Sequence, residues 1–317
     1  MKKWDLHCDV LSKLIMDDSI RFEDDPRLDV TCRRLCEGDM QLQAFAIYIP
    51  ERWKGRPFDA VLASIDAFVR HVAAHPNMLP IRTQADLTAL LRPEERRIGA
   101  LLTLEGADGL EGSFTYLRMA FALGVRTLGI TWNHANWAAD GVGEPRGGGF
   151  TARGRQLVKE CEALHLPLDI SHLTERAFWE LCELTEQPFI ASHSNARAVC
   201  DHARNLTDDQ LREIIRRDGR IGITFVPFFL RDDGGTARID DVLRHVEHVC
   251  ELGGAERIGF GSDFDGIPVW IQGLEHPGCY GNLQNELLKR YTNRQVEGFF
   301  NKNWLSYYIG QLPTKSG

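Results

Sequence analysis

No stretch of this chain approaches the roughly 18 consecutive apolar residues of a membrane-spanning helix, which excludes an integral helical membrane protein. No Lys/Arg cluster is present either. With 37 basic against 45 acidic residues and a net charge of −8, the chain lacks the basic face that nucleic acid requires. Eight cysteines are scattered without a single C-x-x-C, and the nearest pair is Cys32 and Cys36. That spacing argues against a disulfide framework or a zinc knuckle and favours free, buried thiols. The glycine run 147–149 lacks the Gly-Lys-Ser/Thr ending of a phosphate loop, and residues 141–146 lack the third glycine of a dinucleotide fingerprint. A flexible loop is expected there. Met1-Lys2-Lys3 runs straight into a strand-like segment with no small-residue cleavage site, and residues 311–317 carry no hydrophobic tail. These features suggest a cytoplasmic protein. No repeat, low-complexity tract or linker divides it, so one domain over residues 1–317 is expected.

What the sequence does have is alternation. Strand-like runs at 6–10, 42–49, 98–104, 125–132, 166–170, 189–193, 220–226 and 257–262 are separated by helical patterns. The helices are expected at 59–75, 114–123, 154–164, 175–186, 206–217 and 239–252, with a helical tail over 292–309. Thr207 with Gln210, and Thr292 with Gln295, have capping-box spacing. Eight strands interleaved with helices predict a single (β/α)8 TIM barrel closed by a C-terminal helix. Two long connections, 133–151 and 265–282, leave from the rim where a site would lie and are candidate substrate walls.

Five of the strand-like runs end in a metal-ligand residue type: His7 and Asp9, Glu105, His172, His193, and Asp263. Strand ends gather at the C-terminal rim of a parallel barrel, so these scattered positions can converge. Three imidazoles and three carboxylates suit two divalent cations better than one. His7 and Asp9, two apart on a strand, project to one face, while Cys8 between them projects to the other, toward the helices. Glu105 closes an apolar strand, where a carboxylate is costly unless compensated, and its two oxygens can bridge a metal pair. Asp263 is placed to take a proton from activated water and return it to a leaving amine. Arg204 can clamp a substrate carboxylate. His71 with His75, and His245 with His248, fall on polar helices and read as solvated faces; His165, His202 and His276 follow no pattern.

The ordered segments His7-x-Asp9, Glu105-Gly106, Gly124-Val125-Arg126-x-Leu128, Asp169-Ile170-Ser171-His172, Ala191-Ser192-His193-Ser194, Arg204-Asn205-x-x-Asp208-Asp209-x-Leu211 and Gly261-Ser262-Asp263-Phe264-Asp265-Gly266 resemble the membrane dipeptidase (renal dipeptidase) family of zinc metallopeptidases. The resemblance runs from His7 to the C-terminal helix. It implies a barrel with two Zn2+ ions that cleaves small dipeptides, including those with a C-terminal D-residue. By that resemblance His7 and Asp9 hold one zinc, His172 and His193 the other, and Glu105 bridges them. Asp263 is then the acid/base and helps hold the substrate amine, and Arg204 holds its carboxylate. One position departs: Trp132 stands where mammalian members place a histidine thought to contact the tetrahedral intermediate, with His134 two residues on. Both are therefore candidate substrate-binding residues. The rival reading is a metal-dependent amidohydrolase acting on another small amide or lactam, because the ligand set reports water activation and not the acyl group. The partners expected are the dipeptide itself and, if any protein, a second copy of the chain.

Overall fold

The computed structural model describes residues 1–314, so the end of the polar tail lies outside the described residues. Among the described residues nine parallel strands form the frame: β1 (Lys3–Asp5), β2 (Met40–Ile47), β3 (Met78–Ile81), β4 (Ile98–Glu105), β5 (Val125–Gly129), β6 (Leu168–Asp169), β7 (Ile190–Ala191), β8 (Arg220–Ile223) and β9 (Ile258–Phe260). Eight follow one another in the order β1-β2-β4-β5-β6-β7-β8-β9. The ring is nearly closed: the Leu6 N–H donates to the Phe260 carbonyl at 3.0 Å, and Cys8 forms a bridge with Phe264. This is the (β/α)8 barrel that the alternation predicts.

The ninth strand is the departure. β4 carries β2 along one edge, and its other edge is shared between β3, paired to residues 98–101, and β5, paired to residues 102–105. β3 is short and contains Pro80, so its pattern does not read as a strand; proline is tolerated because β3 lies at a sheet edge. Four helices also escape the sequence pattern: Val10–Leu14, Cys32–Glu37, Gln84–Leu90 and Tyr280–Leu288. The first three are too short to show a 3.6-residue period. The expected helix 59–75 is found as Pro57–Ala67 continued by a wider π turn, Phe68–Ala73, and the tail is interrupted by a similar turn at Gly298–Lys302.

Helices packed around the strands bury most of the apolar side chains. A second cluster forms where the last helix, Asn303–Gln311, sets Trp304, Tyr307 and Tyr308 against Trp4, Leu42 and Ile190. A buried aromatic side chain of this size removes about 150–250 Å² from water, a gross gain of roughly 4–6 kcal/mol each. Gly259 permits it, since a Cβ there would lie 1.9 Å from Trp304 Nε1.

Candidate metal centre

β1 stops at Asp5, so His7 and Asp9 are not on a strand as their spacing suggests. They lie on the segment between β1 and the helix Val10–Leu14, of which Asp9 is the N-cap residue. Alternation therefore does not bring them together; the turn does, and it leaves His7 Nε2 3.6 Å from Asp9 Oδ2. Cys8 points away from both, its thiol 3.2 Å from the Ala44 carbonyl.

Glu105 at the end of β4 sits at the middle of the cluster. One oxygen, Oε2, lies 3.6 Å from His7 Nε2. The other, Oε1, lies 2.9 Å from His172 Nε2 and 3.5 Å from His193 Nε2. Asp263 Oδ1 is 3.8 Å from His7 Nε2. His172 and Asp263 both take left-handed backbone angles, φ 71° and 69°, which turn their side chains at the strand ends. Such angles cost about 1–3 kcal/mol in non-glycine residues and cluster at functional sites.

The imidazoles of His172 and His193 are oriented from behind. Asn133 Oδ1 lies 2.7 Å from His172 Nδ1, and Ser192 Oγ lies 2.7 Å from His193 Nδ1. Ser192 Oγ donates to Asp169, so it accepts from His193 Nδ1–H and leaves the Nε2 lone pair facing the cluster. Asp169 on β6 also accepts the Ser171 and Ser192 N–H groups, at 3.0 and 2.9 Å. The same clasp recurs across the ring. Asp5 on β1 accepts Ser262 N–H at 2.8 Å, Ser262 Oγ–H at 2.6 Å and His7 N–H at 3.3 Å. In both cases a strand carboxylate grips the serine immediately before a candidate site residue, His193 in one and Asp263 in the other.

The donor set fits metal. Donors on one tetrahedral zinc with bonds of about 2.0–2.1 Å stand about 3.3 Å apart, close to the separations around Glu105. His7 Nε2 and Asp9 Oδ1 are buried without any hydrogen-bond partner. The carboxylates of Asp9, Glu105 and Asp263 crowd together with Arg204 as the nearby guanidinium, an excess of negative charge that divalent cations would neutralise. Titration behaviour agrees. Burial alone would pull His7 down, but Glu105, Asp9 and Asp263 outweigh it and push His7 up to about 10. Burial raises Glu105 and Asp263, which His7 opposes and Asp9 reinforces. Burial holds His172 and His193 well below the usual imidazole range, so both are neutral and able to ligate.

A cleft of about 330 Å³ opens over the cluster, lined by Asp9, Glu105, His172, Arg204, Asp263 and Trp132 among others. Arg204 is buried in its wall, with Nη1 3.4 Å from Ser194 Oγ, Nη2 3.2 Å from the His193 carbonyl and Nε unpartnered. Residues from both long connections, Asn133 and Gly266–Pro268, contribute to the lining. Trp132 separates this cleft from a second lobe of about 220 Å³ containing Tyr48, Glu51, Asp108 and His134. His134 is exposed there and does not line the first cleft.

Three expectations are corrected. The glycine run 147–149 is held, not loose: Gly148 N–H donates to Asp140 at 2.9 Å, and a Cβ on Gly149 would strike the Glu180 carboxylate at 2.2 Å. His245 is fully buried, not on a solvated face; its Nδ1 accepts the Ala196 N–H at 3.1 Å and Nε2 donates to the Leu230 carbonyl at 3.2 Å. His75 is likewise mostly buried, beside Cys32 and Glu23. Asp5 and Tyr48 escape the sequence reading, and Asn133, Asp169 and Ser192 enter it only as members of a connection or a motif, with no role of their own. An acid inside an apolar run, as at Trp4-Asp5-Leu6 and Leu168-Asp169-Ile170, was the available signal.

The family model for membrane dipeptidase (peptidase family M19) matches residues 1–307. This chain belongs to that family. It is 39% identical over 221 residues to an uncharacterized protein of Klebsiella pneumoniae, covering 67% of this chain and 82% of that one. An uncharacterized dipeptidase of Schizosaccharomyces pombe is 33% identical over 251 residues, 77% of this chain but 60% of its own length. Among solved structures, dipeptidase AC, a family M19 metallopeptidase, superposes with a TM-score of 0.89 at 28% identity, covering 99% of both chains. A metallopeptidase of Rhodobacter sphaeroides, bound to a phosphinate mimic of L-Ala-D-Ala, gives 0.88 at 27% identity, covering 98% of this chain and 99% of the other. The chain is thus a metallopeptidase of the M19 dipeptidase family. No helix among the described residues is long and apolar enough to cross a membrane.

Proposed function

We propose that the chain, acting as one catalytic domain, is a binuclear zinc dipeptidase that accepts small dipeptides, including those with a C-terminal D-residue. The observation that carries this reading is Glu105: its two oxygens face two different imidazole sets, His7 on one side and His172 with His193 on the other. His7 and Asp9 would hold one ion, His172 and His193 the second, with Glu105 between. Zinc there supplies Lewis acidity, which acidifies water toward neutrality and polarises a carbonyl.

The chain's own groups do the rest. Asp263, its carboxyl raised by burial, takes a proton from the attacking water and delivers it to the leaving amine. Arg204 pairs with the substrate carboxylate; burial lowers its guanidinium to about 10, which leaves it charged at neutral pH. Trp132 and Tyr48, with ring centroids 5.2 Å apart, form a rigid wall against which the substrate side chains rest. A D-residue is supported by the phosphinate mimic of L-Ala-D-Ala in the Rhodobacter relative. The test is hydrolysis of a panel of L-L and L-D dipeptides by zinc-loaded protein, with metal content measured on the same sample. Turnover of both series is expected with about two zincs per chain beyond any held by cysteine thiols. Full activity with one zinc would overturn the binuclear reading, and no cleavage of any dipeptide would overturn the substrate reading.

A further inference from the structure

Outside the cleft, a second group of metal-ligating side chains meets where two helices and a loop converge. Glu23, Cys32 and His75 each place one ligand atom within 4.8 Å of the other two. Cys32 opens the helix Cys32–Glu37, and the exposed Cys36 follows one turn later on the same face of that helix. His75 lies just past the π turn Phe68–Ala73. Backbone bonds fix the loop to the helix start: the Cys32 N–H donates to the Phe22 carbonyl at 2.9 Å and the Arg33 N–H to that of Glu23 at 3.1 Å. None of these residues lines the cleft or its second lobe.

We propose that Cys32, Cys36 and His75 form a separate, structural site for a thiophilic divalent cation such as zinc, with Glu23 orienting the imidazole. Cys32 Sγ lies 3.5 Å from His75 Nδ1. A sulfur and a nitrogen on one tetrahedral zinc, with bonds of about 2.3 and 2.0–2.1 Å, stand about 3.6 Å apart. His75 Nδ1 accepts the Asn77 N–H at 3.1 Å, so this nitrogen carries a lone pair and the proton sits on Nε2. Nε2 donates to the Glu23 carboxylate. A carboxylate gripping the far nitrogen is the arrangement that raises the basicity of a ligating imidazole. An entering cation takes the lone pair now shared with the Asn77 N–H. Two thiolates and an imidazole select a soft or borderline metal over magnesium or calcium.

The site would fasten the loop before Cys32 to the helix before His75. That loop carries Asp29 and Val30, whose N–H groups donate to Asp265 at 2.8 and 2.9 Å, two residues beyond Asp263.

Cobalt separates this site from the catalytic centre, because the latter has only nitrogen and oxygen donors and Cys8 points away from it. Co2+ is titrated into chelator-stripped full-length protein while the near-ultraviolet thiolate-to-cobalt charge-transfer band is followed. The expected result is one band whose amplitude corresponds to a single thiolate-bound cobalt per chain, saturating within about three equivalents because the cleft also takes cobalt, displaced by Zn2+ and absent in Cys32→Ser. Cys36→Ser alters an exposed residue and should keep the native circular dichroism, yet weaken cobalt affinity by at least about tenfold. Failure of the wild type to give the band, or its persistence in Cys32→Ser, would overturn the proposal. So would an unchanged affinity in a folded Cys36→Ser variant.

Discussion

Ser192→Ala deletes a single oxygen that lies between Asp169 and His193 and touches neither cleft nor substrate. In the native chain that oxygen donates to Asp169 Oδ2 and accepts from His193 Nδ1–H at 2.7 Å. Its loss strands a buried N–H and half of a buried carboxylate. Asp169 keeps its other oxygen satisfied by the Ser171 and Ser192 N–H groups, so it stays in place. Removing a hydrogen bond to a charged group costs about 1.5–3 kcal/mol, and the stranded imidazole N–H adds about 1–3. Water entering the small gap recovers part of this, so a fall of about 2–4 kcal/mol in the unfolding free energy of the metal-free protein is expected. With the imidazole free to turn or to swap tautomer, metal affinity should drop about 10–100-fold. Competition against a chelator of known affinity reads the second effect, and denaturant unfolding of stripped protein reads the first. Wild-type affinity in a folded Ser192→Ala variant would refute the claim that the Asp169–Ser192 pair sets the His193 tautomer.

Other expectations concern the chemistry and its surroundings. Asp263→Asn should keep its metals while turnover falls about 10²–10⁴-fold; near wild-type rates with normal zinc would make Asp263 structural. Arg204→Ala should weaken substrates with a free C-terminal carboxylate by about 2–5 kcal/mol in kcat/KM and barely affect their amides; equal losses would show that Arg204 does not read the carboxylate. Because His134 is exposed in the second lobe and does not line the cleft, while Trp132 walls that cleft, Trp132→Ala should change which dipeptides are cleaved, whereas His134→Ala should be nearly silent. A loss of about 10²-fold in kcat from His134→Ala would contradict this. Burial lowers His245 to about 4, below the ordinary value of 6.5 for a histidine. The unfolded chain therefore binds the extra proton, and stability is fully present above about pH 6.5 and lost as pH falls toward 4. The contribution is about 3 kcal/mol, readable as a shallower pH slope of unfolding in His245→Phe.

The barrel was legible because each long apolar run is fixed by a large buried area, and Glu105 stood out because an acid ending such a run must be compensated. The route by which His7 and Asp9 meet was not legible. Alternation on a strand and a turn into a helix place residues two apart on the same side, and only the backbone shows that β1 ends at Asp5. Histidine on a polar-looking helix misled in a different way. His245 is buried because the loops bearing Ala196 and Leu230 supply it with partners, and such long-range pairing leaves no local pattern. β3 was hidden by Pro80, and the thiol cluster by the distance in sequence between Cys32 and His75.

The paired grips of Asp5 on Ser262 and Asp169 on Ser192 bear on how this scaffold could be altered. Both are made between neighbouring strands, below the level of the loops that wall the cleft. The reactive residues are thus anchored in the part of the molecule least able to move, while the surfaces that meet the substrate hang from connections that take no part in those grips. The exposed positions of the two connections, such as His134, Pro268 and Val269, could be exchanged without releasing a ligand, whereas Val142, whose N–H donates to the His172 carbonyl at 2.7 Å, and the buried Ile271, Leu274 and Tyr280 belong to the frame. On this design, changes of diet and changes of chemistry are separable, and a library confined to those exposed positions should yield many variants that still fill with metal but choose different peptides.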